Sequence, residues 1–589
     1  MFTATSPISE EAPAAGRPPF GRVVNARGSK IGVAGNVAEG QGTAERATVG
    51  SYVEVAAANR RLVGVVTELL NADQGESGAH ATALKIDLMG EFNADGAGRP
   101  HFTRGVSGYP AIGDPVRLVD RVGLKTIFGS SAGEFSNVGR LGADDAVAVS
   151  LDIDGMLSRH FAVVGSTGVG KSSGVAVILN EVLRLRPKLR VFLLDIHNEY
   201  GHCFGDRAAV LNSESTRIPF WLFAFEEFVD VLFGGRPAVD EEIDILLELI
   251  PLAKSQYQTM RSAGGPNLRK VDPRASGFTV DTPAPYQLQD LMNLIDERMG
   301  KLESRTTRMH FHRLLGRLDA IRNDGRYAFM FEGANVGGDT MGEVIAKLFR
   351  LDGDSRTMTV MQVAGFPAEA TEALVSVLLR LAFEFGLWSD GVSPMLFVCE
   401  EAHRFVAADK TVGFAPTRRG LLRIAKEGRK YGVHLGLVTQ RPAELDATAI
   451  SQCNTIFAMR LPNERDQKIL RSAVSDAVGD LHAFLPSLGM REVIGFGDGM
   501  PMPARFRFNA LPRDAVPSSD AFIRSAEIRG AAGERGFVKS VIDRWRGAAH
   551  AAMRHDEPEA VQAEAAPAPN YQVSLASRVE QVRAQLMKR

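Results

Sequence analysis

The sequence predicts an α/β protein in which a parallel sheet covered by helices carries a helical insertion and follows a small β-barrel. Three observations support this fold class. Short β-like runs separated by Gly and Asn/Asp turns occupy residues 20–151, apolar strands alternate with helices in residues 161–461, and a long helix-rich stretch interrupts that alternation.

The composition is that of an ordinary globular protein: 45% of the 589 residues are hydrophobic, 23% are charged, and the formal net charge is −2. No apolar run approaches the roughly 20 residues that a membrane span needs, and the first residues show no export signal. Cys203, Cys399 and Cys453 are too few for a disulfide framework or a zinc site. We therefore expect a reduced, cytoplasmic protein without membrane association. The charge balance argues against coating nucleic acid with the whole surface, but it permits a ring in which only the channel is basic.

The first 151 residues divide into two parts. Residues 1–18 are rich in Pro, Ala and Ser and are expected to be disordered. Residues 19–151 are predicted to form a small barrel from the runs GRVVNA, GSYVEVAA, RLVGVVTEL, ALKIDLMGEF and GDPVRLVD. Such a barrel could be a docking or pore-entrance module or only a structural cap, and the pattern does not distinguish them.

The rest of the chain contains the predicted core and its tail. Residues 152–511 carry the alternating strands and helices, with a helical insertion at about 201–345 between two strands of one sheet. Residues 512–554 are predicted to be a C-terminal helical segment. Residues 555–589 are predicted to be a flexible tail with a short terminal helix, whose apolar stripe either docks or stays disordered.

The strongest motif is a glycine-rich phosphate-binding loop with an apolar strand before it and a helix after it. With one further serine, the loop comprises Gly165, Ser166, Thr167, Gly168, Val169, Gly170, Lys171, Ser172 and Ser173. Backbone N–H groups in such a loop converge on phosphate oxygens, and the helix N-terminus adds positive partial charge. We expect Lys171 to contact the β- and γ-phosphates of ATP and Ser172 to ligate Mg²⁺.

A second motif is an apolar strand that ends in two acids, within residues 394–403. Glu400 is expected to bind Mg²⁺, and Glu401 is expected to orient and polarise the attacking water. The first acid is Glu where many P-loop motors have Asp, so the metal contact could be direct or through water. A strand that merely ends in solvated acids is the alternative for Glu401.

Two further catalytic candidates surround the next strand. Gln440 follows that strand, where an amide could sense the γ-phosphate; an ordinary strand-terminal amide is the alternative. Arg429 is placed where a guanidinium could reach the nucleotide; a solvated arginine at a helix end is the alternative.

Together these segments resemble the HerA family of hexameric DNA translocases, RecA-like P-loop ATPases of the ASCE type that are relatives of FtsK. The resemblance rests on SRHFAVVGSTGVGKSS, LLDIHNEY, LFVCEEAHRF, AKEGRKYGVHLGLVTQRP and SQCNTIFAMRLPNERD. It covers about residues 156–511 and extends more weakly to the predicted barrel. It implies a homohexamer that hydrolyses ATP and moves along double-stranded DNA.

The resemblance also implies residue roles and partners. Arg159 matches the family's arginine finger, which acts on ATP bound to the neighbouring subunit. Asp195 matches a family acid near the catalytic centre, although a loop cap is an equal alternative, and Arg429 matches a sensor arginine. Family members work beside a second protein, either a NurA-like nuclease in end resection or a nuclease or sirtuin-like effector in anti-phage defence. The chain alone does not separate the repair role from the defence role.

Two groups of basic residues are candidates for DNA contacts. Arg418 and Arg419 are expected on a loop after the paired acids. The second group shares one helical pattern and consists of Arg305, Arg308, Arg313, Arg317, Arg322 and Arg326. A solvated or ion-paired surface explains either group at least as well.

Other functions remain open. A conjugation-type DNA-pumping ATPase would share these motifs, but such proteins usually carry membrane segments. An oligomeric scaffold that binds ATP and activates an anti-phage effector would not depend on Glu401. A protein-remodelling ATPase would not be stimulated by DNA.

Overall fold

The structure is a computed structural model. It describes residues 19–35, 47–71, 82–94, 96, 98–129, 136–262, 277–301, 305–332, 338–473, 481–518, 538, 539 and 542. The predictions for residues 1–18, for most of the helical segment 512–554 and for the tail 555–589 with its terminal helix lie outside these residues.

The N-terminal part forms a β-barrel. Its strands are β1 (Gly21–Arg27), β2 (Lys30–Gly35), β3 (Tyr52–Ala57), β4 (Arg60–Asn71), β5 (Thr82–Ala94), β6 (Pro100–Arg104) and β7 (Pro115–Leu118). The antiparallel order is β2-β1-β7-β3-β4-β5-β6, and a further β2–β5 pairing closes six of these strands into a barrel. Alternate side chains such as Val53, Val55, Leu62 and Ile86 fill its interior. The barrel is confirmed, while β2 and β6 were not among the predicted runs.

A second, larger sheet follows. Its strands are β8 (Gly139–Leu141), β9 (Asp144–Val149), β10 (His160–Val164), β11 (Arg190–Asp195), β12 (Ala208–Leu211), β13 (Met358–Gln362), β14 (Met395–Cys399), β15 (Val433–Thr439), β16 (Cys453–Ala458), β17 (Glu492–Gly497) and β18 (Ala504–Phe508). Their order is β12-β13-β11-β14-β15-β10-β16-β17-β18-β8-β9. The strands from β12 to β16 in this order are parallel, and the rest are antiparallel. The β8–β9 hairpin thus lies in this sheet, before the division expected at residue 151.

Helices cover the larger sheet and form the insertion. They are α1 (Arg121–Phe128), α2 (Ile153–Leu157), α3 (Lys171–Leu185), α4 (Phe225–Phe233), α5 (Asp240–Ser262), α6 (Leu288–Gly300), α7 (Arg305–Arg322), α8 (Ala328–Phe331), α9 (Met341–Phe349), α10 (Ala368–Trp388), α11 (Ala415–Glu427), α12 (Ala447–Ser451) and α13 (Glu464–Ala473). Helices α4 to α9 lie between β12 and β13 in the chain, whereas the insertion predicted at about 201–345 also contains β12. Every residue of β10, β13 and β14 is buried, as expected for parallel strands with both faces covered.

Helix α11 begins at Ala415, within the region where the sequence analysis expected a loop. Pro416 lies in its first turn, where a missing N–H costs nothing. Arg418 and Arg419 therefore lie on a helix, and their predicted position on a loop was wrong.

The parallel strands give the sheet two different edges. Residues after Val164, Asp195, Cys399 and Thr439 lie at what we call the carboxyl edge, and residues before these strands lie at the amino edge. Ligands of open parallel sheets bind beyond the carboxyl ends of the strands. The carboxyl edge is therefore where the predicted site residues should meet.

Two further sequence expectations can be compared with the structure. Within the described residues, no helix combines the length and the apolar character required to span a membrane. Cys203, Cys399 and Cys453 are buried and form no disulfide bonds. Burial raises the pKa of Cys399 and of Cys453 well above the ordinary value, so both thiols stay protonated at neutral pH.

Candidate active site

The predicted phosphate-binding loop, residues 165–173, lies at the carboxyl edge between β10 and α3. Gly168 and Gly170 adopt φ angles of 75° and 94°, in the left-handed region that favours glycine. A Cβ on Gly170 would lie 3.0 Å from Cγ of Arg491. The N–H of Arg491 donates to the carbonyl of Val169 at 2.9 Å. The segment before β17 thus packs directly against this loop.

Lys171 and Ser172 open helix α3. Lys171 Nζ donates to the carbonyl of Ser166 at 3.0 Å, and burial lowers the pKa of Lys171 although nearby carboxylates oppose the shift. Ser172 Oγ donates to Glu199 Oε2 at 2.8 Å. Ser173 follows in the same turn and is half-buried. The hydroxyl predicted to ligate Mg²⁺ is therefore held by a carboxylate that the sequence interpretation did not select.

The two acids after β14 are both buried, with Glu400 4% exposed and Glu401 6% exposed. Glu400 Oε1 accepts a hydrogen bond from the Tyr200 hydroxyl at 3.2 Å. Burial, followed by the charges of Asp195, Glu199 and Glu401, raises the pKa of Glu400 well above its ordinary value. Oε2 of Glu400 and Oε2 of Glu401 accept no hydrogen bond from the described residues. Buried carboxylate oxygens without donors are costly, so a cation at this place would stabilise them.

The oxygens here fit a magnesium ion. Mg²⁺ prefers oxygen ligands and is usually held by one or two carboxylates together with phosphates and waters. The unpartnered Oε2 of Glu400 and the hydroxyl of Ser172 beside Glu199 are oxygens of this kind. No three His, Cys, Asp or Glu side chains in the described part of the chain are arranged to hold a metal alone. Phosphate and water would therefore complete the shell.

The turn after β11 is shaped by Asp195. Its buried carboxylate accepts the N–H groups of Glu199 and Tyr200, each at 3.0 Å. Asp195 thereby caps the turn that presents Glu199 to Ser172 and Tyr200 to Glu400. The loop-cap interpretation describes this geometry, and Glu199 is the acid that the sequence interpretation missed. The sequence signal for Glu199 is that it is a second acid, four residues after Asp195, and that it follows β11, the strand beside β14.

Strand β15 lies between β10 and β14, so its end separates the phosphate loop from the paired acids. Gln440 Oε1 accepts a hydrogen bond from Thr167 Oγ1, which places this predicted sensor against the loop. His403 Nδ1 hydrogen-bonds with Thr439 Oγ1 at 3.0 Å and lies 3.3 Å from Glu401 Oε2. His403, which was also missed, thus connects the end of β15 with the second acid.

Three comparisons with known proteins found similar sequences and folds. Residues 136–382 match the family described as "Helicase HerA, central domain". A probable helicase of Methanocaldococcus jannaschii is 25% identical over 489 residues, which are 78% of this chain and 86% of that protein. The DNA double-strand break repair helicase HerA of Pyrococcus furiosus is 25% identical over 456 residues, 72% of this chain and 75% of that protein. Among solved structures, VirB4 of Thermoanaerobacter pseudethanolicus aligns with a TM-score of 0.43 at 16% identity over 66% of this chain and 99% of that one.

The central part of this chain is similar to HerA helicases. The central-domain match and the HerA relatives confirm the resemblance that the motifs indicated. The fold class is confirmed as well, since an α/β core with a phosphate loop follows a β-barrel. The chain is an ATP-hydrolysing enzyme.

Two predicted arginines lie at the amino edge. Arg159 directly precedes β10, and Arg429 lies in a 3₁₀ turn, Gly428–Tyr431, before β15. Both side chains are exposed and flank His434, whose Nδ1 lies 3.4 Å from the Arg159 carbonyl and whose pKa is lowered by burial and by the Arg429 charge. Strands rise about 3.3 Å per residue, so β10 and β15 separate these arginines from their own phosphate loop by about 15–20 Å. Within one chain neither guanidinium reaches that loop, which corrects the expectation for Arg429.

The residues proposed for DNA contact are largely engaged by acids. Arg418 pairs with Asp446 and is only 13% exposed, and Arg419 pairs with Glu226 on the surface. Three members of the second group also have partners: Arg317 with Glu242, Arg322 with Gln289 and Arg326 with Asp324. Arg308 and Arg313 line a pocket between α6 and α7. The side chain of Arg305 lies outside the described residues.

Proposed function

We propose that this protein forms a ring of identical subunits, a homohexamer, that couples ATP hydrolysis to movement along double-stranded DNA. One observation carries the proposal. The phosphate loop and its acids lie at one edge of the sheet, whereas Arg159 and Arg429 are exposed at the other edge. A head-to-tail contact brings the arginines of one copy to the phosphates of the next, and such a contact closes into a ring when it is repeated by a suitable rotation. Relatives named as DNA double-strand break repair helicases support DNA as the track.

Within each proposed site, the residues of one chain bind and orient the reactants. Lys171 and the loop amides hold the β- and γ-phosphates. Ser172 and Glu400 hold Mg²⁺, which neutralises charge on the phosphate oxygens, and Glu199 fixes the Ser172 hydroxyl. Glu401 accepts a hydrogen bond from the attacking water and polarises it.

The remaining groups respond to the γ-phosphate. Gln440 senses it from beside Thr167. His403 positions Glu401 from the neighbouring strand end. Arg159 of the adjacent copy stabilises the charge that develops during transfer, and Arg429 of that copy assists. Hydrolysis then depends on assembly.

Mixing two inactive variants tests the shared site. Arg159→Ala retains the loop but supplies no arginine finger, and Lys171→Ala supplies the arginine but has a defective loop. Each variant alone should show almost no ATP turnover. In a mixed ring, a loop from the first variant beside an arginine from the second forms an intact site, so turnover should return to about a quarter of the wild-type rate per subunit. Arg298→Ala, which removes an exposed cation on the inserted α6, should leave turnover unchanged.

Recovery must be measured in rings that contain both variants, which two different affinity tags can verify. Mixed rings without any recovered turnover would show that Arg159 does not act across subunits. Stimulation of the wild-type turnover by duplex DNA, and movement along it, test the track. An ATPase that duplex DNA leaves unchanged is not the translocase proposed here.

The proposed partner is a NurA-like nuclease or a nuclease or sirtuin-like defence effector, which supplies a chemistry that translocation lacks. The barrel displays Tyr109 and Ile112, which are 63% and 76% exposed, and apolar surface of this kind supports a docking role for the barrel. Co-purification with each class of partner separates the repair role from the defence role. If an effector were activated equally well by a Glu401→Gln variant, the scaffold alternative would replace the motor.

A further inference from the structure

The turn between α10 and β14 carries an unusual apolar patch. Trp388 is 81% exposed and Val392 is 84% exposed, the highest values among the large apolar side chains of the described residues. The rest of α10 is largely buried, so the exposure is confined to the end of this helix. Exposed apolar patches of this kind mark interaction sites in proteins that are otherwise well packed.

The turn is locally ordered. The N–H of Val392 donates to the carbonyl of Ser389 at 3.1 Å, and the N–H of Gly391 donates to the carbonyl of Gly386 at 3.1 Å. Trp388 Nε1 donates to Glu384 Oε2 at 3.0 Å, which holds the indole by its polar end and leaves its apolar face to solvent. A tryptophan fixed in this way loses little conformational entropy when a partner covers it.

The patch is continuous with the arginines of the amino edge. A Cβ on Gly391, whose φ is 71°, would lie 3.2 Å from the carbonyl carbon of Tyr431, so the two turns are in direct contact. Tyr431 ends the turn that contains Arg429. One surface therefore presents Trp388 and Val392 beside Arg429 and, across His434, Arg159.

We propose that Trp388 and Val392 form the apolar part of the surface through which a second copy of this chain docks, with its carboxyl edge facing them. The inference rests on the proposed function, because it needs the copies to pack head to tail. The position of the patch argues for this occupant. The patch contacts the turn that contains Arg429, so a copy whose phosphates Arg429 and Arg159 reach would cover the patch as well. Tryptophan and arginine are the side chains most enriched among residues that dominate interface energies.

The patch and the arginines have separable roles. The arginines act on the phosphates, and their loss should stop turnover within an intact ring. The apolar pair only holds the copies together, so its loss should weaken assembly while the catalytic groups stay in place. A Trp388→Ala variant should therefore need about 10–100-fold more protein for assembly in the presence of ATP and Mg²⁺.

The experiment follows oligomer mass and ATP turnover over a range of protein concentrations. For Trp388→Ala, turnover per subunit should be lost at low concentration and regained at high concentration. Met260→Ala, which shortens a 54% exposed apolar side chain on the inserted α5, is the matched control and should behave like the wild type. Unchanged assembly of Trp388→Ala would overturn the inference, and so would intact assembly with weakened DNA binding, because the patch would then stack on nucleic acid.

A second readout leaves the patch intact. Trp221 is buried, so in a Trp545→Phe background the fluorescence change on assembly should come from Trp388. Its emission should shift to shorter wavelength when ATP and Mg²⁺ drive ring formation, and an unshifted spectrum in an assembled ring would contradict the proposal. Failure of the wild type to assemble at all would instead refute the proposed function. Suppose that mixed rings of the Arg159 and Lys171 variants recover ATP turnover, but Trp388→Ala assembles like the wild type. That combination would refute this inference and leave the proposed function intact.

Discussion

The two edges of the larger sheet differ in burial and in charge. At the carboxyl edge, Glu400 and Glu401 are almost fully buried and each keeps one oxygen without a donor among the described residues. At the amino edge, Arg159 and Arg429 are exposed to solvent. Buried like charges destabilise a folded chain until a cation neutralises them, whereas exposed arginines cost little. The contrast indicates that the carboxyl edge is destabilised until a cation binds there. The amino edge has exposed arginines that can contact another molecule.

The same two strands connect the edges. Strand β10 begins after Arg159 and ends at the phosphate loop, and β15 begins after the turn of Arg429 and ends at Gln440. Residues 161–164 of β10 pair in parallel with residues 436–439 of β15. In the proposed ring, a displacement of the arginines at a neighbour's nucleotide would therefore act on the same chain's own phosphate loop. Such an arrangement would pass the state of one proposed site to the next.

The largest expected effect comes from the carboxyl edge. Replacing Glu401 by Gln keeps the shape of the side chain but removes the charge that polarises water, so we expect kcat to fall by about 10²–10⁴-fold. ATP binding and oligomer mass should not change, since Lys171 and the amino edge are intact. Steady-state turnover and equilibrium binding of a labelled ATP analogue measure the two properties. Turnover within tenfold of the wild type would mean that the buried acid is not the group that acts on water.

A smaller effect is expected at His403, which joins the strand end to Glu401. In His403→Asn the amide nitrogen takes the place of Nδ1 and can still bond to Thr439 and approach Glu401. In His403→Gln the amide nitrogen takes the place of Nε2 and cannot do so. Since one neutral hydrogen bond contributes about 0.5–1.5 kcal/mol, we expect His403→Gln to lower kcat by up to about tenfold and His403→Asn to lower it far less.

The KM for ATP should stay the same in both His403 variants, because neither residue position holds the phosphates. Equal losses in the two variants would indicate a packing role for the imidazole. A rise in KM without a fall in kcat would place His403 in nucleotide binding.

Local sequence was sufficient for part of this site and insufficient for the rest. The phosphate loop and the paired acids are each contiguous, and a strand beside each motif fixes its position at the carboxyl edge. Tyr200 and His403 act through partners that lie far away in the sequence, so no local pattern distinguishes them from solvated residues. For Glu199 the only signal was its position four residues after Asp195.

The position of a residue before or after its strand indicates which edge of the sheet the residue occupies. Arg429 precedes β15, and strand direction alone places it away from its own nucleotide. The early start of α11, marked by Pro416, likewise removed Arg418 and Arg419 from the predicted loop. The barrel strand β2 and the β8–β9 hairpin were missed because short segments carry little periodicity.

The smallest expected effect tests the strain at the carboxyl edge directly. Burial and neighbouring acids raise the pKa of Glu400 in the folded chain above its value in the unfolded chain. The folded state therefore binds a proton at Glu400 more tightly than the unfolded state does, and this protonation stabilises the folded chain. The stabilisation is complete below the unfolded pKa of about 4.3 and is lost as the pH rises through the folded pKa. Glu400→Gln, which can still accept from the Tyr200 hydroxyl, removes that penalty. We expect the variant to have a higher Tm than the wild type at pH 8 and a smaller difference in Tm at pH 5.

Calorimetry at the two pH values, with and without Mg²⁺, measures this effect. Mg²⁺ should raise the Tm of the wild type and leave that of Glu400→Gln nearly unchanged, because the ion and the substitution relieve the same repulsion. Leu247→Ala, a change at a partly exposed apolar residue on α5, should show no such dependence on pH or metal. A Glu400→Gln variant that is less stable than the wild type at pH 8 would show that the buried acids do not destabilise the folded chain in the absence of a ligand. The difference between the two edges would then lie in exposure alone.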